Sequence, residues 1–178
     1  DWQSQFMVAC NRQENAENWQ SEDPAWVGKA SMSRNHMFLI LKDLKWHWFN
    51  ALVFGMFDNL DESLTLCRNM KKAALLFAQN STEWSGNIGL YLHVFSHSSV
   101  NSLHLHIVDL DHVGPSFEVL QYKNLPLDAV IDVLQAEMRE TQPVQRNFVP
   151  HKRSGRRGKA APQSWLRKVP PGDRDGTA

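Results

Sequence analysis

Cysteine is scarce in this chain: Cys10 and Cys67 are the only two, and no Cys-x-x-Cys pair exists. Two isolated thiols do not make a disulfide framework or a thiolate zinc site, and they suit a reducing compartment. Long apolar runs are also missing. The longest apolar-rich patch, Trp46 to Phe57, is interrupted by His47, Asn50 and Gly55, so it falls short of the roughly 18 residues of a membrane span. There is no internal repeat. There is no net charge either, with 19 Lys/Arg against 19 Asp/Glu. The first residue is Asp1 rather than Met, which leaves room for a preceding targeting segment and keeps an organelle open as the location.

What is present fits one domain with a real core: 178 residues, 42% of them hydrophobic, with seven Trp and nine Phe. The zero net charge hides an asymmetry. Residues 1–150 hold 11 Lys/Arg against 17 Asp/Glu, and residues 151–178 hold 8 against 2. An acidic body with a basic tail is a pattern of attachment segments. Lys152, Arg153, Arg156, Arg157 and Lys159 suit the phosphates of a nucleic acid or the surface of an acidic partner. From His151 onward Gly, Pro, Ser, Lys and Arg dominate, a composition that builds no core. Trp165-Leu166 is the one apolar spot there.

Residues 1–35 read as a polar, weakly patterned extension whose Trp2, Trp19 and Trp26 are anchors to the domain or to a partner. The domain proper spans 36–142 and the tail 143–178. Met37 to Leu41 reads as a strand covered on both faces. Trp46 to Phe57 fits either strand or irregular loop; its Trp46-His47-Trp48-Phe49 run reads as core or interface ahead of a nucleobase-stacking wall. Asp58 to Glu62 supplies capping and acidic side chains for a helix start, and the apolar spacing predicts an amphipathic helix over 60–79. Ile88 to Phe95 alternates as a strand and turns into a second one, so the two should pair antiparallel. Phe117 to Gln121 reads as a short strand. Pro126 suits the first turn of a second helix marked by Leu127, Val130, Ile131, Leu134 and Met138, which Pro143 ends.

The chain is organised around Ser98 to Leu110. Leu103, Leu105 and Ile107 alternate toward a core, which puts Ser102, His104 and His106 on the opposite face. A His-x-His pair on a strand has three meanings. The rings can be partly buried and satisfied by neighbours. They can share a metal, with His93, His97 or His112 as a third ligand. Or they can serve phosphate chemistry, where a neutral imidazole attacks phosphorus and a second one stabilises the oxygens. In the turn that follows, Asp109, Asp111 and His112 are polar, and Asp111 is a candidate to orient a histidine.

Ser99-Val100-Asn101-Ser102-Leu103-His104-Leu105-His106-Ile107 resembles the signature of the histidine triad (HIT) superfamily, a serine followed by three alternating histidines on a strand. His36-Met37-Phe38-Leu39-Ile40-Leu41-Lys42 is similar to the family's upstream strand, and the resemblance covers roughly 35–140. It implies an α+β fold, a HIT-like antiparallel sheet with a long helix between strands and a second helix after the motif. It further implies a nucleotide or dinucleotide ligand and His104 as the nucleophile that forms a nucleotidyl-histidine intermediate. His106 and Ser99 then contact phosphate. No metal or cofactor is the central device, and a homodimer is common. This chain departs from the pattern where Ser102 stands in place of the first histidine, which helps to orient and polarise the nucleophile. Leu41 replaces a usual proline, and the strands expected to hold base and ribose are not recognisable in 1–35. Two function classes follow. One is a nucleotide phosphohydrolase or nucleotidyl transferase with Ser102 in a weakened supporting role. The other is a catalytically reduced or inert accessory subunit that joins a larger assembly through the N-terminal arm and basic tail.

Overall fold

The computed structural model describes residues 2–97 and 100–141. Ser99 and the basic tail, with the expectations attached to them, lie outside the described residues. Five strands, β1 (Phe6–Cys10), β2 (His36–Leu41), β3 (Ile88–His93), β4 (His104–Asp109) and β5 (Asn124–Pro126), form one antiparallel sheet in the order β1-β2-β4-β3-β5. Helices α1 (Gln13–Glu17), α2 (Leu60–Gln79), α3 (Pro115–Leu120) and α4 (Leu127–Thr141) complete an α+β architecture. Among the described residues no helix is long and apolar enough to cross a membrane.

The period-2 alternation of the strands sorts their side chains onto two faces. Leu39, Leu41, Leu92, Leu105 and Ile107 point toward α2 and α4 and form the main core with Leu64, Cys67, Met70, Ala74, Leu127, Ile131 and Leu134. Those α2 positions recur every three or four residues, so one stripe of the helix is buried. Each fully buried Leu or Met contributes roughly 1.5–3 kcal/mol relative to exposure. On the opposite face, Val108 packs with Met32 and Leu120, flanked by Tyr91 and Phe117. That second cluster covers one end of the face. The histidines occupy the rest.

Several elements differ from the sequence reading. The sheet reaches back to Phe6: β1 pairs with β2 from Phe6↔Leu41 to Cys10↔Met37, so part of the 1–35 segment belongs to the sheet. The following segment is pinned to α3, with the Gly28 amide donating to Ser116 Oγ at 3.0 Å. A Cβ on Gly114 would run into the Trp19 carbonyl, so Trp19 lies against the domain itself. The stretch expected as a strand near Phe117 is helix α3, because Pro115 fixes a helical φ in the first turn and needs no amide partner there. Pro126 ends β5, and the helix begins one residue later. The Trp46–Phe57 region is an irregular loop with two short 3-10 turns. Asn59 precedes α2 without capping it; its side chain takes the Gly55 amide and donates to the His47 carbonyl, bracing that loop.

Candidate functional site

β4 is an interior strand, and its face away from the helices carries His104 and His106. Antiparallel pairing with β2 places Ile40 opposite His104 and Phe38 opposite His106, with His36 two residues further along. β3 places Tyr91 opposite His106, and His93 follows on the same face. Four imidazoles therefore converge. His93 stacks on His106 at 3.6 Å between ring centroids. Phe38 presents its ring edge-on to His36, His106 and His104 at 4.9, 5.0 and 5.9 Å.

Hydrogen bonds join three of these rings into a chain with one direction. The Met32 amide donates to His36 Nδ1 at 3.1 Å. A backbone N–H can only donate, so His36 carries its proton on Nε2. That proton goes to His106 Nδ1 at 3.0 Å, which forces the His106 proton onto Nε2. His106 Nε2–H then donates to His104 Nε2 at 3.1 Å. His104 must keep its proton on Nδ1, where it donates to the Ser102 carbonyl at 2.7 Å. One buried amide thus sets three tautomers.

All four rings are held neutral. Burial drives the pKa of His36 down to about 3, and the nearby His93 and His104 push the same way. Burial likewise takes His93 to about 3, helped by Lys123 and His104. His106 lies well below its ordinary value, first through burial and then through its histidine neighbours and Lys123. Burial lowers His104 as well, while its bond to the Ser102 carbonyl works in the other direction.

The wall beside His104 is built by the 44–57 loop. Leu103 N–H donates to the Phe49 carbonyl at 2.7 Å, and Asn50 Nδ2 donates to the Asn101 carbonyl at 2.8 Å. A small recess of about 10 Å³, lined by Asn50, His93, Asn101, Ser102 and His104, lies there. Within the aromatic run, Trp48 packs on the core, whereas Trp46 is 71% exposed and stacks on Phe49.

Of the residues singled out in the sequence, His104, His106 and Ser102 come together, but Ser102 takes part through its carbonyl and not its hydroxyl. His97 and His112 stand apart: the His97 ring meets Tyr122, and His112 meets Asp109. Asp109, not Asp111, is the carboxylate that meets a histidine. It is fully buried, and hydrogen bonds from Ser85, Asn35 and the Asp111 amide outweigh the effect of burial and lower its pKa. His36 was not among the site residues read from the sequence, and His93 was read there only as a candidate third metal ligand. The available signals were the histidine heading the β2 motif and the alternation of β3.

His93, His104 and His106 bring ring nitrogens within 4.8 Å of one another, a spacing that suits a metal ion. The tautomers oppose that use. A ligand nitrogen must present a lone pair, and His106 Nε2 carries a proton for as long as the Met32 amide occupies His36 Nδ1. His93 and His104 remain, one short of the three protein ligands of a catalytic zinc site. The cluster is built to donate a proton to one acceptor, His104 Nε2.

No protein-family model, curated protein or solved structure matches the chain.

Proposed function

We propose that this protein is a HIT-like nucleotide hydrolase or nucleotidyl transferase in which His104 Nε2 attacks the α-phosphorus of a nucleotide. The observation that carries this reading is the state of His104: neutral, proton on Nδ1, that proton held by the Ser102 carbonyl, and the lone pair on Nε2, where it accepts from His106 Nε2–H. The resemblance of 99–107 and 36–42 to the histidine triad motifs supports the same chemistry.

His106 Nε2–H caps the His104 lone pair. When a phosphate enters, that N–H turns to a phosphoryl oxygen and the lone pair is released toward phosphorus. The N–P bond forms as the bond from phosphorus to the leaving group breaks, and the leaving group takes that electron pair. His104 becomes cationic, and its Nδ1–H bond to the Ser102 carbonyl strengthens as the charge develops. Water or another acceptor then attacks phosphorus, loses its proton to solvent, and returns the N–P electron pair to His104. The side chain at position 102 has no step in this sequence, since any residue there offers the same carbonyl.

Release of AMP or GMP from nucleoside phosphoramidates and dinucleoside polyphosphates tests the proposal. Wild type should turn over at least one of these substrates, and His104→Ala should turn over none while keeping a thermal midpoint close to wild type. Equal release by the variant removes His104 as nucleophile. A second reading, an accessory subunit without turnover, is favoured by the exposed Trp46, Leu52, Met56 and Phe57 of the loop beside the site. It predicts no release from any of these substrates and a partner lost on truncating those side chains.

A further inference from the structure

The two edges of the sheet are built differently. β5, at one end of the strand order, is three residues long and ends in Pro126. A short strand with a proline resists the addition of a further strand. β1, at the other end, has neither device. Its five residues, Phe6-Met7-Val8-Ala9-Cys10, are all apolar and run in unbroken register with β2. Among the described residues no strand lies on its outer side.

The backbone and the side chains of β1 both face something unfilled. The Lys42 amide donates to the Gln5 carbonyl at 2.9 Å. Antiparallel pairs alternate between bonded and non-bonded, so Met7 and Ala9 also bond inward to β2, whereas Phe6, Val8 and Cys10 turn their backbone groups to the open side. The Phe6 and Val8 side chains lie on the face toward α2. There a groove of about 220 Å³ runs between strand and helix, lined by Phe6, Val8, Leu39, Ala73, Leu76 and Phe77. That exceeds the roughly 150 Å³ apolar cavity that takes a benzene ring. A strand added to β1 places every second side chain in this groove.

Charge decides what kind of strand fits. Lys42 stands next to the Phe6 end of β1 and Arg12 follows the Cys10 end; both are exposed, and among the described residues neither is in an ion pair. From Ser63 to Gln79, α2 carries Arg68, Lys71 and Lys72 and no carboxylate, and β1 and β2 hold none either. A second copy paired antiparallel about Val8 would bring Arg12 of each copy toward Lys42 of the other, a like-charge approach that opposes self-pairing. An acidic segment is attracted at both ends.

We propose that β1 is a docking edge for an extended segment of another protein, apolar at alternating positions and acidic at its ends, which adds to the sheet and fills the groove beside α2. The proposal is independent of the chemistry at His104.

Selection from a random peptide display library on the immobilised full chain tests this, followed by calorimetry and amide exchange with the most enriched peptide made synthetically. Enriched peptides should alternate apolar with other residues and carry Asp or Glu at their ends. In the free protein the Val8 and Cys10 amides should exchange fast and those of Met7 and Ala9 slowly; bound peptide should slow the first pair. Val8→Pro removes an outward N–H, which an edge strand tolerates, and should weaken binding about tenfold or more. Leu76→Gln, which makes the groove polar and leaves the edge intact, should weaken it too, and Lys42→Glu should reduce both the affinity and its salt dependence. The proposal is overturned if no such peptides are enriched, if bound peptide leaves the Val8 and Cys10 amides fast, or if Val8→Pro and Leu76→Gln both bind like wild type. Protection of those amides that rises with protein concentration alone assigns the edge to a second copy and overturns it as well.

Discussion

Lowering the pH should weaken this fold through its buried histidines before ordinary carboxylates take up protons. His36 has an ordinary pKa near 6.5 when unfolded and about 3 in the folded chain. Between those values the unfolded state binds a proton that the folded state refuses, so stability falls as the pH falls through 6.5 and the loss levels off only near 3. The slope for one such group is about 1.4 kcal/mol per pH unit. At pH 5 the 1.5-unit interval costs about 2 kcal/mol from His36 alone. His106 and His93 act with the same sign. In His36→Asn the side-chain carbonyl can still accept the Met32 amide, but the titration is gone. Urea unfolding followed by tryptophan fluorescence at half-unit steps from pH 7 to 5 gives both slopes. The variant's curve should be shallower by about 1.4 kcal/mol per pH unit below pH 6, whatever its stability at pH 7. Equal slopes, or stability that rises on acidification, would refute the buried, neutral state on which the tautomer chain depends.

Ser102→Ala should leave turnover within about fivefold of wild type, since the carbonyl that holds His104 is unchanged and a typical single hydrogen bond is worth only about 1 kcal/mol; a hundredfold loss in steady-state rate would show that the hydroxyl matters. Asp109→Asn removes a buried charge that accepts from Ser85 and Asn35 and should cost about 1–3 kcal/mol in denaturant titrations. The lowered pKa of Asp109 acts with the same sign as the buried histidines: its contribution is present above the unfolded carboxylate value and is lost as pH falls through the folded one, so the variant should differ least from wild type in strong acid. Thiol titration at pH 8 should count one reactive cysteine in the native protein and two in denaturant. Cys10 is exposed, while Cys67 is buried with its pKa pushed up to about 12; two fast thiols in the native state would contradict the packing of α2.

Helix α2 could be read from Leu60 to Gln79 because its apolar spacing is local and long. The alternations that mark β3 and β4 are local too, and so is the placing of His104 and His106 on one face. β1 escaped notice because five residues at a sheet edge, Phe6–Cys10, follow a polar start and gain their stability from pairing with β2. Helix α3 mimicked a strand, since Phe117 and Val119 alternate over too few residues to separate the two periods. The rest of the site is non-local. His36 meets His106 across 70 residues through strand register, and His93 reaches His106 by the pairing of β3 with β4. The part played by position 102 had no signal at all, because a backbone carbonyl is the same whatever side chain it carries.

The most direct test of the account is to trap the covalent intermediate. The protein is mixed with α-labelled adenylate and guanylate donors, denatured with detergent at neutral pH, and the labelled peptide is located by mass spectrometry. The account predicts an acid-labile, alkali-stable label on the peptide bearing His104, absent from His104→Ala. A label that persists in that variant, or none from either donor, would contradict it.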